Sequence, residues 1–392
     1  RGIQAGGTTT NTIQFITIAS TGAGKEFGDL TRAHRRPAGC ASPTRGLFGG
    51  GQVPSPTSRH NIIDFITIAS TGNAHDFGDL IEALDTSMPC SNSTMAFWAG
   101  GNNGSAKLNT IQFLTIATLG NAQDFGDLTS AQASGAAVAS STRAVYGGGW
   151  TAPGVEIEYV TIATTGNAID FGANRTQGKG QYAPGSGNST RGLFWSAQDH
   201  PSYYNTIDFV TIATTGACTE FGDIQGSSGR YGGATFADPT RAVYAGGVTG
   251  ATPNALDTID RVQIATQSDG TDFGNLTTAK RYVVGASDST RGVVYAGGAP
   301  TVSTIIEYIT IQGSGGSTDF GDATVARSHI AGMSNSIRGV FAGGVNPGII
   351  NVMDSITFQT TGNAVDWGDY VVGDKAGSYS SGTSDSHGGL SE

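Results

Sequence analysis

Asn73-Ala74-His75-Asp76-Phe77-Gly78-Asp79-Leu80 is the stretch on which the reading of this 392-residue chain turns, because it returns in altered form at seven other places. Its central aromatic falls at Phe27, Phe77, Phe125, Phe171, Phe221, Phe273, Phe320 and Trp367, in steps of 50, 48, 46, 50, 52, 47 and 47 residues. The chain is therefore a tandem array. A period of about 50 residues with several short strands per unit points to a β-propeller, since solenoid repeats are usually shorter or helical.

A second marker keeps the same period: Arg45-Gly46, Arg143-Ala144, Arg191-Gly192, Arg241-Ala242, Arg291-Gly292 and Arg338-Gly339, preceded by Arg1-Gly2, each followed by apolar residues and usually by Gly-Gly. Met95-Ala96 is the exception. Units starting near 1, 45, 95, 143, 191, 241, 291 and 338 divide 392 residues into eight parts of 49. Residues 1–392 thus read as one domain of about eight blades, with seven plus a decayed terminal unit as the lesser alternative.

Residues 327–370 serve as a specimen, read for the period-2 alternation and β-branched content of strands. Four strands are expected: one around His329–Met333, a second over Arg338–Ala342 stopped by Gly343-Gly344, a third over Val352–Phe358, and a fourth around Trp367–Tyr370 after a Thr-Gly-Asn-Ala turn. Four antiparallel strands make a propeller blade. No such sheet buries enough apolar area alone, so the strands must pack face to face between neighbours. The chain opens on a second strand, Arg1–Gly7, and closes on residues 376–386, which align with first strands such as Val284–Ser289. The carboxy-terminal strand is expected to join the first unit, close the ring and remove two exposed sheet edges.

Second strands ending in Gly-Gly, followed by a strand with an acid before an aromatic (Asp64-Phe65, Glu158-Tyr159, Asp208-Phe209, Glu307-Tyr308), resemble kelch repeats along the whole chain. The last aromatic, usually Trp in kelch units, is Trp only at Trp367. The wording Thr-Ile-Ala-Thr-Thr-Gly-Asn-Ala with Asp-Phe-Gly also resembles repeat proteins of marine tailed phages, which implies a virion or tail-fibre component at the virion surface, outside cells.

Composition narrows the function classes. Net charge is −10 and only 13% of residues are charged, with five Lys against sixteen Arg. An acidic, Lys-poor surface does not favour nucleic acid or anionic lipid. Apolar runs are strand-sized, far below the roughly 20 residues of a membrane-spanning helix, so no membrane insertion is expected. Three Cys cannot make a disulfide framework; Cys40 and Cys90, at equivalent places in neighbouring units, read as small apolar fillers. Arg1 where a Met would stand reads as the start of a processed or excerpted piece.

Asp-Phe-Gly is a kinase signature when it stands once beside a catalytic loop. Repeated at this spacing, it reads as a turn in which Asp76, Asp124, Asp319 and Asp366 accept backbone N–H bonds, the aromatic plugs the space between units and Gly takes a conformation a Cβ would forbid. The spacing Asp-x-Gly-x-x-Thr, as in Asp124–Thr129, is similar to the Asp boxes of sialidase propellers, where the box is structural. The repeated Arg45, Arg143, Arg191, Arg241, Arg291 and Arg338 are expected to pair with the recurring Asp29, Asp79, Asp127, Asp223, Asp322 and Asp369, rather than to form an anion site. Six scattered His lack ligand spacing, so no metal and no cofactor is expected.

What varies is the connection after each Gly-Gly. Variable loops on one face of a repeated scaffold are where binding residues are mounted. Arg59, His60, Trp150, His200, Tyr203 and Tyr204 are the candidate ligand-binding residues, the aromatics to stack on sugar rings and the polar groups to bond hydroxyls. The expectation is a non-catalytic binding or structural module of a phage virion, contacting a host-surface glycan or protein or other virion proteins, with homo-oligomerisation if it belongs to a fibre. The alternatives are a sialidase-like glycan hydrolase, which needs two carboxylates about 5–10 Å apart, and a kelch-type interaction adaptor.

Overall fold

The computed structural model describes residues 2–6, 11–16, 25–33, 37–54, 57–139, 142–147, 157–171, 185–188, 190–195, 197–199, 202–211, 214, 219–226, 229–250, 255–298, 301–334, 336–348, 350–369 and 381–384. Runs of β-branched and aromatic residues between Gly-rich turns form strands throughout, and no helix occurs among the described residues. Among the described residues the strands build eight four-stranded antiparallel sheets and two two-stranded hairpins, Gln52–Pro54 with Thr57–Arg59 and Ala197–Asp199 with Ser202–Tyr204. The four-stranded sheets are numbered 1 to 8 along the chain.

Sheet 8 holds Ala331–Ser334, Arg338–Ala342, Val352–Thr357 and Thr360–Asp369 in that order. Its second and third strands stand where the alternation places them. The fourth begins earlier than expected: Thr357 pairs with Thr360, so Thr361-Gly362-Asn363-Ala364 lies inside the strand, and a register shift between Ser355 and Thr357 absorbs the difference. Sheet 1 takes Gly2–Ala5, Thr12–Ile16 and Lys25–Asp29 from the start of the chain. Its fourth member is Ser381–Ser384, antiparallel to Gly2–Ala5 with Gly2 opposite Ser384 and Ala5 opposite Ser381.

The core lies between sheets. Leu47, Ile63 and Phe65 of sheet 2 pack with Trp98 and Leu114 of sheet 3; Val145 and Tyr159 of sheet 4 pack with Phe194 and Val210 of sheet 5; Val293 and Ile306 of sheet 7 pack with Phe341 and Ile356 of sheet 8. Second strands such as Arg45–Gly49 and Arg291–Tyr295 are consequently buried at every position after the half-buried Arg, because both faces meet a neighbour. Each such Leu, Val or Phe contributes about 1.5–3 kcal/mol. The small-residue first strands lie side by side: Ala38–Ala41 against Met88–Ser91, Ala234–Ala237 against Val284–Ser287, and Ser381–Ser384 against both Ala331–Ser334 and Ala38–Ala41.

Repeated polar residues tie sheet to sheet. The Asp-Phe-Gly glycines Gly78 and Gly126 have φ of +142° and +143°, and a Cβ there would lie 2.5 Å from the Gly120 oxygen or 2.4 Å from the Gly166 oxygen of the next unit. That close approach lets Gly120 and Gly166 N–H donate to the Phe77 and Phe125 carbonyls, while Asn121 and Asn167 accept from the N–H of Asp79 and Asp127. Within the turn, Asp76, Asp124 and Asp319 accept from Gly78, Gly126 and Gly321, as expected of an Asx turn.

The recurring Arg departs from expectation. Instead of pairing with Asp29, Asp79, Asp127, Asp223, Asp322 or Asp369, its guanidinium donates to a carbonyl at the end of the next sheet's third strand: Arg45 to Ile116 at 2.6 Å, Arg191 to Ile264 at 2.6 Å, Arg241 to Ile311 at 3.1 Å and Arg291 to Phe358 at 2.8 Å. Arg45, Arg191 and Arg291 also lie over an aromatic of their own third strand, as Arg143 does over Tyr159, while Arg338 lies over Trp367 of its fourth strand. The planar cation finds exposed strand-end carbonyls and, in most units, a π face; the backbone N–H groups of Asp29, Asp79, Asp127, Asp223 and Asp322 separately donate to the next unit's Asn or Asp side chain.

Candidate functional site

Two families of connection meet on one face: the loops after the second strands and the linkers that run from one sheet's fourth strand to the next sheet's first. Antiparallel bridges tie them together at Asp85 with Asn102, Tyr231 with Val248, Arg281 with Gly298 and Ser328 with Val345. The Gly-Gly elbows fit against the linkers, where Gly101 donates to the Gln132 carbonyl and Gly247 to that of Lys280.

On this face four rings from four successive units form a row. Tyr203, on the hairpin strand Ser202–Tyr204 of sheet 5's loop, stacks on Tyr231 of the linker into sheet 6, with ring centroids 6.0 Å apart. Tyr231 meets Tyr282 of the linker into sheet 7 edge to face at 6.2 Å, and their hydroxyls lie 3.5 Å apart. Tyr282 stacks on His329 of the linker into sheet 8 at 4.6 Å. The three tyrosines are half-buried and His329 is exposed. The Arg281 guanidinium carbon sits 5.5 Å from the Tyr282 ring centre. Its bond to Tyr282, then burial, pushes the Tyr231 hydroxyl up to about 12, so Tyr231 stays a neutral donor and acceptor at ordinary pH.

Tyr282 and His329 stand two residues before a first strand, in the same register as Thr86, Ser134 and Gly232, and all five have left-handed backbone, with φ between 52° and 68°. The linker must turn this way to enter the sheet. A residue with a Cβ costs about 1–2 kcal/mol there, which Gly232 avoids and the two aromatics do not.

Beneath the face, among the described residues, lie three buried ion pairs, each between a cation at the end of a fourth strand or in the linker after it and the third-strand acid of the next sheet: Arg230 with Asp260, Lys280 with Glu307 at 2.6 Å and Arg327 with Asp354 at 3.0 Å. The acids are also committed to the preceding unit. Asp260 accepts from the Gln225 N–H at 3.0 Å, Glu307 from Thr277, and Asp354 from Thr324 at 3.2 Å. Burial raises Glu307, but the Lys280 ammonium and the Thr277 bonds outweigh it and hold the carboxyl below its ordinary range. Burial lifts Asp260 above its ordinary value even though Arg230 opposes it. These are carboxylates used as inter-sheet clasps. Sheet 3 carries the neutral version, Leu84 and Gln112, with Gln112 still accepting from the Ile81 N–H.

The expected binding residues separate. Tyr203 belongs to the row, and Tyr204, half-buried beside it, packs its backbone on Gly229. Arg59 donates to Asp85 at 3.1 Å. His60 is not a surface ligand: it is 5% exposed, and burial, then the Arg32 charge, lowers it to about 4. Trp150 and His200 lie outside the described residues. Tyr231, Arg281, Tyr282 and His329 were not among the expected residues, because they lie in the linkers before first strands and not in the loops after Gly-Gly. Their signal is a basic residue followed by an aromatic one or two positions on, as in Arg230-Tyr231, Lys280-Arg281-Tyr282 and Arg327-Ser328-His329.

Cys40 and Cys90 are free thiols; Cys40 is buried and donates to the Cys90 carbonyl, and burial pushes both thiols up, Cys90 to about 12. Among the described residues, no three His, Cys, Asp or Glu side chains gather in a way that could hold a metal ion. No family model matches the chain, and no curated protein matches it.

Proposed function

We propose that the eight sheets are the blades of a kelch-like β-propeller that works as a non-catalytic binding module, and that its ligand is a host-surface glycan. Support for the propeller comes from sheets that share their cores pairwise, first strands that lie side by side, and a carboxy-terminal strand shared with the first sheet. The observation that carries the binding role is the row Tyr203, Tyr231, Tyr282 and His329, in which four units contribute rings to one face. Aromatic rings with phenolic hydroxyls offer both CH–π surface and hydrogen bonds to a pyranose. A rigid scaffold with exchangeable loops suits a virion surface, such as a tail fibre in which several copies act together. There avidity multiplies weak single-site affinity.

The carboxylates favour binding over hydrolysis. A glycosidase needs two within reach of one sugar, whereas Asp260, Glu307 and Asp354 are buried and occupied by cations and backbone N–H groups. The test is a glycan array with the purified chain beside extracts of candidate host envelopes, repeated with Tyr203→Ala and Tyr231→Ala. Selective binding lost in both variants supports the reading. Binding only to other virion proteins would replace it with a structural role, and cleavage of any arrayed glycan would overturn the non-catalytic assignment.

A further inference from the structure

The row has a charged element that its neighbours lack. Arg230, Lys280 and Arg327 are each matched to a buried carboxylate. Arg281, one residue beyond Lys280, makes no ion pair among the described residues; its guanidinium lies near the Tyr282 ring and close enough to Tyr231 to lower that hydroxyl's pKa. It is half-buried on the face of a chain whose net charge is −10. A guanidinium without an ion-pair partner among the described residues, partly desolvated and held near the Tyr282 ring, is a fork suited to a carboxylate.

The backbone sets where the rings stand. The left-handed position filled by Thr86, Ser134 and Gly232 in other linkers is filled by Tyr282 and His329 in the last two, so the same turn carries both aromatics onto the face.

On these grounds we propose that Tyr203, Tyr231, Arg281, Tyr282 and His329 form the site of an acidic saccharide, a pyranose bearing a carboxylate, with Arg281 binding the carboxylate and the phenols and imidazole serving the ring and its hydroxyls. This rests on the glycan-binding reading above and narrows it to one chemical class and one place. Specificity would follow from the charge, because a neutral sugar leaves the guanidinium without its partner.

The test uses the whole chain and calorimetric titration with oligouronates, with the same oligosaccharides reduced to the neutral alcohol, and with a phosphate ester of the neutral sugar. Arg281→Gln, Tyr282→Gly and, as a control at an exposed cation elsewhere, Arg32→Gln are compared. Tyr282→Gly relieves the left-handed backbone and so keeps the fold, which an unchanged or raised Tm will report. The expected result is oligouronate binding that weakens about tenfold or more in Arg281→Gln, disappears in Tyr282→Gly, and is unchanged in Arg32→Gln. Equal binding of acidic and neutral sugars, unaffected by Arg281→Gln, would overturn the inference and leave glycan binding in place. Preference for the phosphate ester would overturn the carboxylate assignment. Binding to none of the three ligands would overturn the inference, and the array decides separately whether glycan binding survives.

Discussion

Arg45 of sheet 2 donates to the carbonyl of Ile116 of sheet 3 at 2.6 Å while lying over Phe65, 5.0 Å from that ring's centre. The same side chain thus joins two sheets and covers the aromatic that fills the space between them. Every unit with an Arg at this place repeats one or both halves of the arrangement wherever the guanidinium is described. Sheet 3 has Met95 instead, with Phe113 and Ile162 at the corresponding places.

Met95→Arg is therefore expected to install the missing tie between sheets 3 and 4. A charge-assisted bond and a cation–π contact, less the entropy of ordering the side chain, amount to a gain of about 1 kcal/mol. Arg291→Met, which removes the bond to Phe358, should lose about 1–2 kcal/mol. Urea melts of both variants check the pair; a destabilising Met95→Arg would count against the clasp.

Gly78→Ala places a methyl 2.5 Å from the Gly120 oxygen at φ +142°, whereas the same change at Gly120, with φ +150°, meets nothing within 4 Å. Both are strained, but only the first pushes two sheets apart. Gly78→Ala is expected to cost more than 3 kcal/mol and Gly120→Ala about 1–2 kcal/mol. Equal losses in thermal melts would mean that backbone strain alone sets the glycine.

Breaking the buried pair with Arg327→Leu or Asp354→Gln alone should cost about 3–5 kcal/mol, because each leaves a buried charge unmatched. The double variant copies sheet 3, where Leu84 and Gln112 stand and the backbone bond survives. It is expected to recover most of the loss, a coupling that a double-mutant cycle measures directly.

His60 is held neutral, its folded pKa near 4 against an ordinary 6.5. Between these values the unfolded chain binds the extra proton and the folded chain does not. Stability is therefore complete above about pH 6.5 and falls as pH drops toward 4, by at most about 1.4 kcal/mol per pH unit. His60→Leu should flatten that part of a pH–stability profile. A slope unchanged by the substitution would remove His60 as its source.

Much of this was legible in the residues before any fold was known. The period placed the units, and Arg338–Ala342 and Val352–Thr357 were readable because alternation and Gly-Gly stops are local properties of the chain. The partner of Arg45 was not. Ile116 lies 71 residues away and offers a backbone carbonyl, a group every residue carries.

The sequence alone determined the repeat, its strands and the Asx turns of Asp-Phe-Gly, since each depends on neighbours along the chain. Only the tertiary structure decided that the alternating polar residues Asp260, Glu307 and Asp354 face a buried cation rather than water, and that Tyr203, Tyr231, Tyr282 and His329 from four units share one row. Those are outcomes of how one sheet settles on the next. The geometry of stacking, not the wording of any single unit, brings side chains 27 to 51 residues apart into contact.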